Sequence, residues 1–538
     1  MRQVLFCTVV LFSHLDSGLS QNARRPNILL ILADDLGFSD IGCYGSEIAT
    51  PNLDRLAAGG LRFTRFYNSA RCCPTRAALL TGLYPHQAGV GHMLENWKQA
   101  AYTAGLNDRC VTMAELLREA GYRTYMVGKW HVGQLGGAKA ANRPLDRGFE
   151  RFYGTGGGGN YFAPTVLFRG NERIKPEGDD YYITDALGDE AVKMLLDHGN
   201  DAKPFFLHLC FTAPHFPLHA RPDDIAKYRG QYRAGWDELR EHRYRRLKDL
   251  GIVDAKWKLS PRDPVAVPWS EAKDKDEWGL RMAVFAAMVD CMDRNIGRVL
   301  EAVKKIGAEK DTVVLFLSDN GSSAEFLDSW PDPSRGHKPG SITGTKESHR
   351  CLEAGWANAG NTPFREHKMW VHEGGISTPL IVNWPAGIRQ RGKLTREVGH
   401  IIDLMPTLLQ LAGTSYPKSF RGRELIPLEG QSLIPVLQGK SRGEYQPLFW
   451  EHEGNRAVRA GRWKLVAQFK GPWELYDMET DRTELNDLAV KMPEKAKELS
   501  ALWQAWADRV GMVPWEQLPG ANYKPTKSYR KKSEPVPD

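Results

Sequence analysis

The segment Asn27-Ile28-Leu29-Leu30-Ile31-Leu32 is apolar at five consecutive positions, then passes through Ala33 to a pair of acids, Asp34-Asp35. Strict alternation would mark a half-solvated strand. An unbroken run of this length marks a strand buried on both faces, as in a sheet with helices on either side. Similar runs recur downstream at residues 123–127 (RTYMV), 204–211 (PFFLHLCF), 312–317 (TVVLFL) and 379–384 (PLIVNW). Between them lie helical patterns. Thr112-Met113-Ala114-Glu115 fits a capping box, and Gly121 is placed to close the helix it opens. Residues 285–306 put Phe285, Met288, Val289, Met292, Ile296, Val299, Leu300 and Val303 on one helical face, and residues 400–412 predict another helix. Strands alternating with helices predict an α/β protein with a mostly parallel central sheet.

Near residue 440 the pattern changes. Short strands are predicted at 447–453, 457–460, 463–468 and 473–476, followed by an amphipathic helix over 493–510. This reads as a small C-terminal α+β subdomain over 441–520, after a main domain over 21–440, with a solvated tail at 521–538. Residues 230–278, dense in charge and tryptophan, read as a surface insertion, and the run Gly156–Gly159 as a flexible loop near the site. The first twenty residues read as a signal peptide: Arg2, a short apolar run over 4–12, and Gly18-Leu19-Ser20 before a cleavage point. No later stretch is apolar enough to span a bilayer, so the mature chain is expected to be secreted or periplasmic.

The whole chain is 538 residues, 42% hydrophobic and 25% charged, which excludes disorder along its length. Lys and Arg number 72 against 65 Asp and Glu, a net +7, far from the dense basic stripe of a nucleic-acid binder. Eight cysteines, one in the leader and the rest scattered, form no disulfide framework and no zinc ribbon.

In open α/β sheets, ligands sit beyond the carboxyl ends of the strands. Those ends carry Asp34-Asp35, Lys129-Trp130-His131, His215 and Asp319-Asn320. Asp34, Asp35, Asp319 and Asn320 form an oxygen-only donor set that suits Ca²⁺, with Mg²⁺ second, better than zinc. Asn320-Gly321-Ser322 is also the chain's one N-glycosylation acceptor, which burial in a metal site would exclude. Pro74 suits the first turn of a helix that Gly82 would close, so Cys72 would sit at its positive N-terminal end with Arg76 one turn in. A phosphatase loop of the C-x5-R type is excluded, because the sixth residue after Cys72 is Ala78 and after Cys73 is Leu79.

Cys72-x-Pro74-x-Arg76, running on to Leu80-Thr81-Gly82, resembles the signature of the type I sulfatases (arylsulfatases) of the alkaline phosphatase superfamily. The opening RPNILLILADDLGFSDIGCYG, then Gly128-Lys129-Trp130-His131-Val132-Gly133, Ala213-Pro214-His215, Ser318-Asp319-Asn320-Gly321 and His372-Glu373-Gly374-Gly375 follow that family's order. The resemblance implies an alkaline phosphatase-like fold and hydrolysis of aryl or carbohydrate sulfate monoesters. It implies that Cys72 is oxidised to Cα-formylglycine by a formylglycine-generating enzyme, and that this residue joins Asp34, Asp35, Asp319 and Asn320 around the cation. It further implies that Arg76 fixes the formylglycine hydrate, Lys129 binds it and the sulfate, and His131 assists its deprotonation. His215 would protonate the leaving oxygen. Lys368 would pair with the sulfate and that oxygen, with Arg365 and His367 as neighbouring rivals. A phosphate or phosphonate ester hydrolase of the same superfamily is the alternative.

Overall fold

The computed structural model describes residues 25–137, 140–199, 201–326 and 338–522. The expected signal peptide and nearly all of the expected tail lie outside them. Ten strands form the main sheet: β1 (Asn27–Ala33), β2 (Leu61–Tyr67), β3 (Arg123–Lys129), β4 (Arg151–Thr155), β5 (Leu167–Arg169), β6 (Glu172–Ile174), β7 (Phe205–Cys210), β8 (Thr312–Ser318), β9 (Leu380–Asn383) and β10 (Lys393–His400). Their order is β10-β2-β9-β8-β1-β7-β3-β4-β5-β6. Only β9 and β5 run against the common direction, each antiparallel to both of its neighbours.

β1 is central, parallel to β7 on one side and β8 on the other. Ile28, Leu30 and Leu32 enter one apolar core, while Leu29, Ile31 and Ala33 enter the other, all fully buried. The unbroken run thus does what its composition demands, filling both faces at once. Helices Cys72–Thr81, Met113–Glu119 and Leu404–Leu411 cover the first face; Ile183–His198 and the 31-residue Lys275–Lys305 cover the second. The Thr112–Glu115 capping box is present, and Gly121 follows its helix at φ +89°.

A ribbon of β11 (Ser419–Phe420) and β12 (Arg423–Glu424) precedes the smaller sheet. That sheet is an antiparallel meander of β13 (Leu448–His452), β14 (Asn455–Ala460), β15 (Trp463–Ala467) and β16 (Glu474–Asp477). Helix Pro493–Arg509 packs on it through Leu499, Trp503 and Trp506. Val458, Leu465 and Leu475 join the same apolar core as Leu30 and Leu80, so the two sheets share an interior.

Three expectations change. Residues 230–278 are no surface insertion: helix Gly235–Asp249 buries Trp236, Arg243 and Leu247, and Trp257 is buried too. Arg243 explains how so charged a segment goes inside, because its guanidinium meets Asp40 at 2.6 Å and Glu47 at 2.9 Å. The helix expected over 400–412 starts later, since His400 ends β10 and a 3₁₀ turn at Ile401–Asp403 precedes Leu404–Leu411. The long helix begins ten residues before the expected Phe285.

Candidate active site

Because β1, β3, β7 and β8 are mutually parallel neighbours, their carboxyl ends open on one edge of the sheet. Asp34 and Asp35 follow β1, Lys129 ends β3 with His131 two residues on, His215 lies five residues beyond β7, and Asp319-Asn320 follow β8. The edge is built under backbone constraint: Asp35 and His131 hold φ of 66° and 57°, costly for residues with a Cβ and typical of functional sites.

Cys72 opens helix Cys72–Thr81, and Gly82 closes it in the left-handed conformation at φ 69°. Arg76, one turn in and 1% exposed, donates from Nε to Asp319 Oδ2 at 2.9 Å and from Nη1 to the Lys129 carbonyl at 2.8 Å. Lys129 Nζ donates to Asp34 Oδ2 at 2.6 Å. Lys368 Nζ donates to Asp35 Oδ2 and to Glu325 Oε2, both at 3.0 Å. His215 Nε2 lies 3.6 Å from Asp35 Oδ2, and Asn320 Nδ2 donates to Asp35 Oδ1 at 2.6 Å. His131, Cys72 and Cys73 place their donor atoms within 4.8 Å of one another. All ten residues singled out in the sequence therefore meet in one place. Of the rivals to Lys368, Arg365 turns away to Glu474, and His367 faces Asp263 at 3.6 Å.

The electrostatics follow from burial among opposed charges. Burial alone would raise the Asp34 carboxyl, but Lys129, His215 and Arg76 hold it well below the usual carboxylate range. Burial and the charge of Asp34 push Asp319 up. Burial would discharge Lys129, yet Asp34 and the Cys72 sulfur keep it a cation. Burial, with Lys129 and Arg76 nearby, lowers His131 and holds it neutral. At Cys72, the Cys73 hydrogen bond outweighs burial and, with Lys129 and His131, draws the thiol well below its ordinary value.

Two buried oxygens at the centre, Asp34 Oδ1 and Asn320 Oδ1, have no hydrogen-bond partner. Orphaned acceptors in a dry interior are costly unless something positive meets them. With Asp35 and Asp319 alongside, this all-oxygen set fits a hard divalent cation. Asn320 is fully buried, so its glycosylation is excluded.

The run Gly156–Gly159 gains a physical reason here. A Cβ on Gly157 would stand 3.5 Å from His131 Nε2, and one on Gly158 would stand 3.0 Å from His215. The contact at Gly157 would be an ordinary one, but the approach at Gly158 is tight, so the loop passes close over His215 with a glycine at that position. Glu325, partner of Lys368, was not anticipated from sequence; it lies 43 residues from Lys368 in an irregular segment that carries no spacing signal.

Comparison with known proteins agrees with this geometry. A family model described as "Sulfatase" matches residues 26–414, and one described as "N-sulphoglucosamine sulphohydrolase, C-terminal" matches 364–507. An arylsulfatase of Klebsiella aerogenes is 35% identical over 443 residues, covering 78% of this chain and 93% of the relative. A sulfatase of Schizosaccharomyces pombe is 34% identical over 531 residues, covering 91% and 95%. Among solved structures, Ps i-CgsB in complex with k-i-k-neocarrahexaose superposes with a TM-score of 0.66 at 27% identity, covering 90% and 93%. The chain belongs to the sulfatase family, within the alkaline phosphatase superfamily. It is a sulfuric ester hydrolase.

Proposed function

We propose that the chain hydrolyses aryl or carbohydrate sulfate monoesters to alcohol and inorganic sulfate, using position 72 as an oxidised nucleophile beside a bound divalent cation. The observation that carries this reading is the placement of Cys72 at a helix N-terminus, ringed by Arg76, Lys129 and His131, with four buried oxygen-bearing side chains alongside. Converted to Cα-formylglycine by a formylglycine-generating enzyme and hydrated, position 72 would offer two geminal hydroxyls, one to attack sulfur and one to release sulfate as the carbonyl re-forms. Asp34, Asp35, Asp319 and Asn320 would hold Ca²⁺, which supplies Lewis-acid stabilisation of the sulfate oxygens.

The remaining roles belong to side chains. Arg76, locked to Asp319, fixes the orientation of position 72. Lys129 and Lys368 place preorganised cations where negative charge gathers, each worth roughly 10²–10³ in rate. His131, held neutral by burial, accepts the proton of the attacking hydroxyl. His215, 9% exposed and tilted against Phe216 with centroids 4.1 Å apart, gives a proton to the leaving alcohol oxygen. The apolar leader over residues 1–20 supports export to a secreted or periplasmic location, and no described helix is long and apolar enough to cross a membrane.

The test has two arms. Mass spectrometry of the peptide containing Cys72 is expected to show a loss of about 18 Da, sulfhydryl exchanged for carbonyl. Sulfate, phosphate and phosphonate esters of one aryl alcohol, assayed side by side, are expected to favour the sulfate. An unmodified thiol, or a phosphorus ester turned over far faster, overturns the reading.

A further inference from the structure

Beside the reaction centre stands a second polar group drawn from both parts of the molecule. Arg71, directly before Cys72, donates from Nη1 to Glu453 Oε1 at 2.6 Å and lies 3.4 Å from His452 Nε2. Glu453 Oε1 also receives His92 Nε2 at 3.0 Å. His92 is stacked on Trp97 and His452, with centroids 4.9 and 5.3 Å apart, and tilted against Trp515 at 5.0 Å. His92 and Trp97 belong to the main domain. His452 and Glu453 sit at the tip of the β13–β14 hairpin, and Trp515 follows helix Pro493–Arg509.

Several observations assign this group to the reaction cleft rather than to the core. Arg71 is the N-cap residue of the helix that Cys72 opens, so its side chain leaves the backbone one residue from the nucleophile position. The side chains of Arg71, Glu453 and His92 stay 16%, 19% and 12% exposed. Two polar atoms of the group, Arg71 Nε and His452 Nδ1, are buried without a hydrogen-bond partner. The hairpin turn places Glu453 at φ 51° and Gly454 at φ 78°, a two-residue type I′ geometry that a non-glycine residue adopts at some cost.

We propose that Arg71, His92 and Glu453 form the subsite for the leaving alcohol, and that this alcohol is a sugar bearing a free hydroxyl next to the sulfated carbon. The inference rests on the sulfatase reading above. A hydroxyl both donates and accepts, so it donates to Glu453 while accepting from Arg71. The pair is already close to neutral, so a second sulfate or a carboxylate finds no uncompensated cation there. An aryl leaving group has nothing to offer either residue. A divalent ion on His92, His452 and Glu453 is disfavoured by the guanidinium 2.6 Å from the carboxylate. The aromatic rings of Trp97 and Trp515 hold His92 in place.

The test compares 4-nitrophenyl sulfate with a panel of monosulfated monosaccharides, for the wild type and for Glu453→Gln and Arg71→Lys. Arg71→Lys keeps the charge and loses the planar fork. The expected result is that each variant loses at least tenfold more kcat/KM on the best sugar sulfate than on the aryl sulfate, chiefly through KM. Equal losses on both esters, with a lowered melting temperature, assign the group a purely structural role and overturn the proposal. A wild type that cleaves the aryl ester but no sugar sulfate overturns it as well. A wild type that cleaves neither class overturns the hydrolase reading itself.

Discussion

Lys129 Nζ and Asp34 Oδ2 stand 2.6 Å apart with both side chains at 0% exposure. Neither charge reaches water, so each depends on the other, and Asp34 also on Arg76, whose Nη2 lies 3.7 Å from Asp34 Oδ1. Replacing Lys129 with Ala removes a cation from the proposed sulfate position and takes away the nearest partner of a buried carboxylate. The expected outcome is a fall in kcat of about 10²–10³ together with a loss of roughly 3–5 kcal/mol in denaturant titration. Wild-type values for either quantity would separate Lys129 from the reaction or from the fold.

Asp34 Oδ1 and Asn320 Oδ1, both without a hydrogen-bond partner, predict a cation linked to stability as well as to rate. Chelation by EDTA is expected to lower the melting temperature and abolish turnover, and added Ca²⁺ to restore both. At a hundred times the dissociation constant, the ion would contribute about 2.7 kcal/mol. A melting temperature indifferent to chelator and to Ca²⁺ would argue against a divalent site at these residues.

Legibility in the sequence tracked burial on two faces. β1, β3, β7 and β8 announced themselves because every position on them after the first residue of β1 and of β3 is buried, and their shared direction made the residues after each strand neighbours. β2 was missed: Arg62 and Arg65 interrupt LRFTRFY, and they go inside only by pairing with the Cys43 carbonyl and Glu479, contacts no local pattern reveals. β10 was missed because it is an edge strand, mostly half-exposed and charged. The proposed subsite at Arg71, His92 and Glu453 was equally silent, since Glu453 lies more than 360 residues from both of the others.

Gly128 and Cys210 predict a strict steric limit at the end of β3. A Cβ on Gly128, which holds φ +110°, would lie 1.7 Å from the Cys210 carbonyl oxygen. Gly128→Ala must part β3 from β7 directly before Lys129. The expected cost is at least about 3 kcal/mol, from backbone strain and overpacking together, with activity lost in whatever protein still folds. Thermal denaturation and the yield of soluble protein measure it; a variant of normal stability would refute the close approach.

His400 predicts part of the acid sensitivity of the fold. Burial pushes it down to about 3, and its Nε2 has no partner. Unfolded, it titrates near 6.5. Between those values the unfolded chain binds the extra proton, so stability is full above about pH 6.5 and declines as pH falls toward 3. Stability of the wild type is expected to drop faster than that of His400→Gln across this window, by up to about 1.4 kcal/mol per pH unit. Urea titrations at a series of pH values decide it, and parallel curves would remove His400 from the account.

Glu373 gives the His372–Gly375 block a structural rather than a catalytic meaning. Its Oε1 receives Lys464 of β15 at 3.0 Å, and its Oε2 receives Arg482 at 2.8 Å and Tyr67 of β2 at 3.0 Å. Burial would raise the carboxyl, but Lys464 and Arg482 bring it down to about 2. Glu373, Lys464 and Arg482 are fully buried, so the ion network clamps the small sheet to the main one. Removing one partner of a buried network leaves the others uncompensated. Glu373→Gln is expected to lose roughly 3–5 kcal/mol in urea unfolding, while the kcat of the folded fraction stays near that of the wild type, because among the described residues the Glu373 carboxylate bonds to Tyr67, Lys464 and Arg482 rather than to position 72 or its partners. A collapse of kcat at unchanged stability would instead place Glu373 in the reaction.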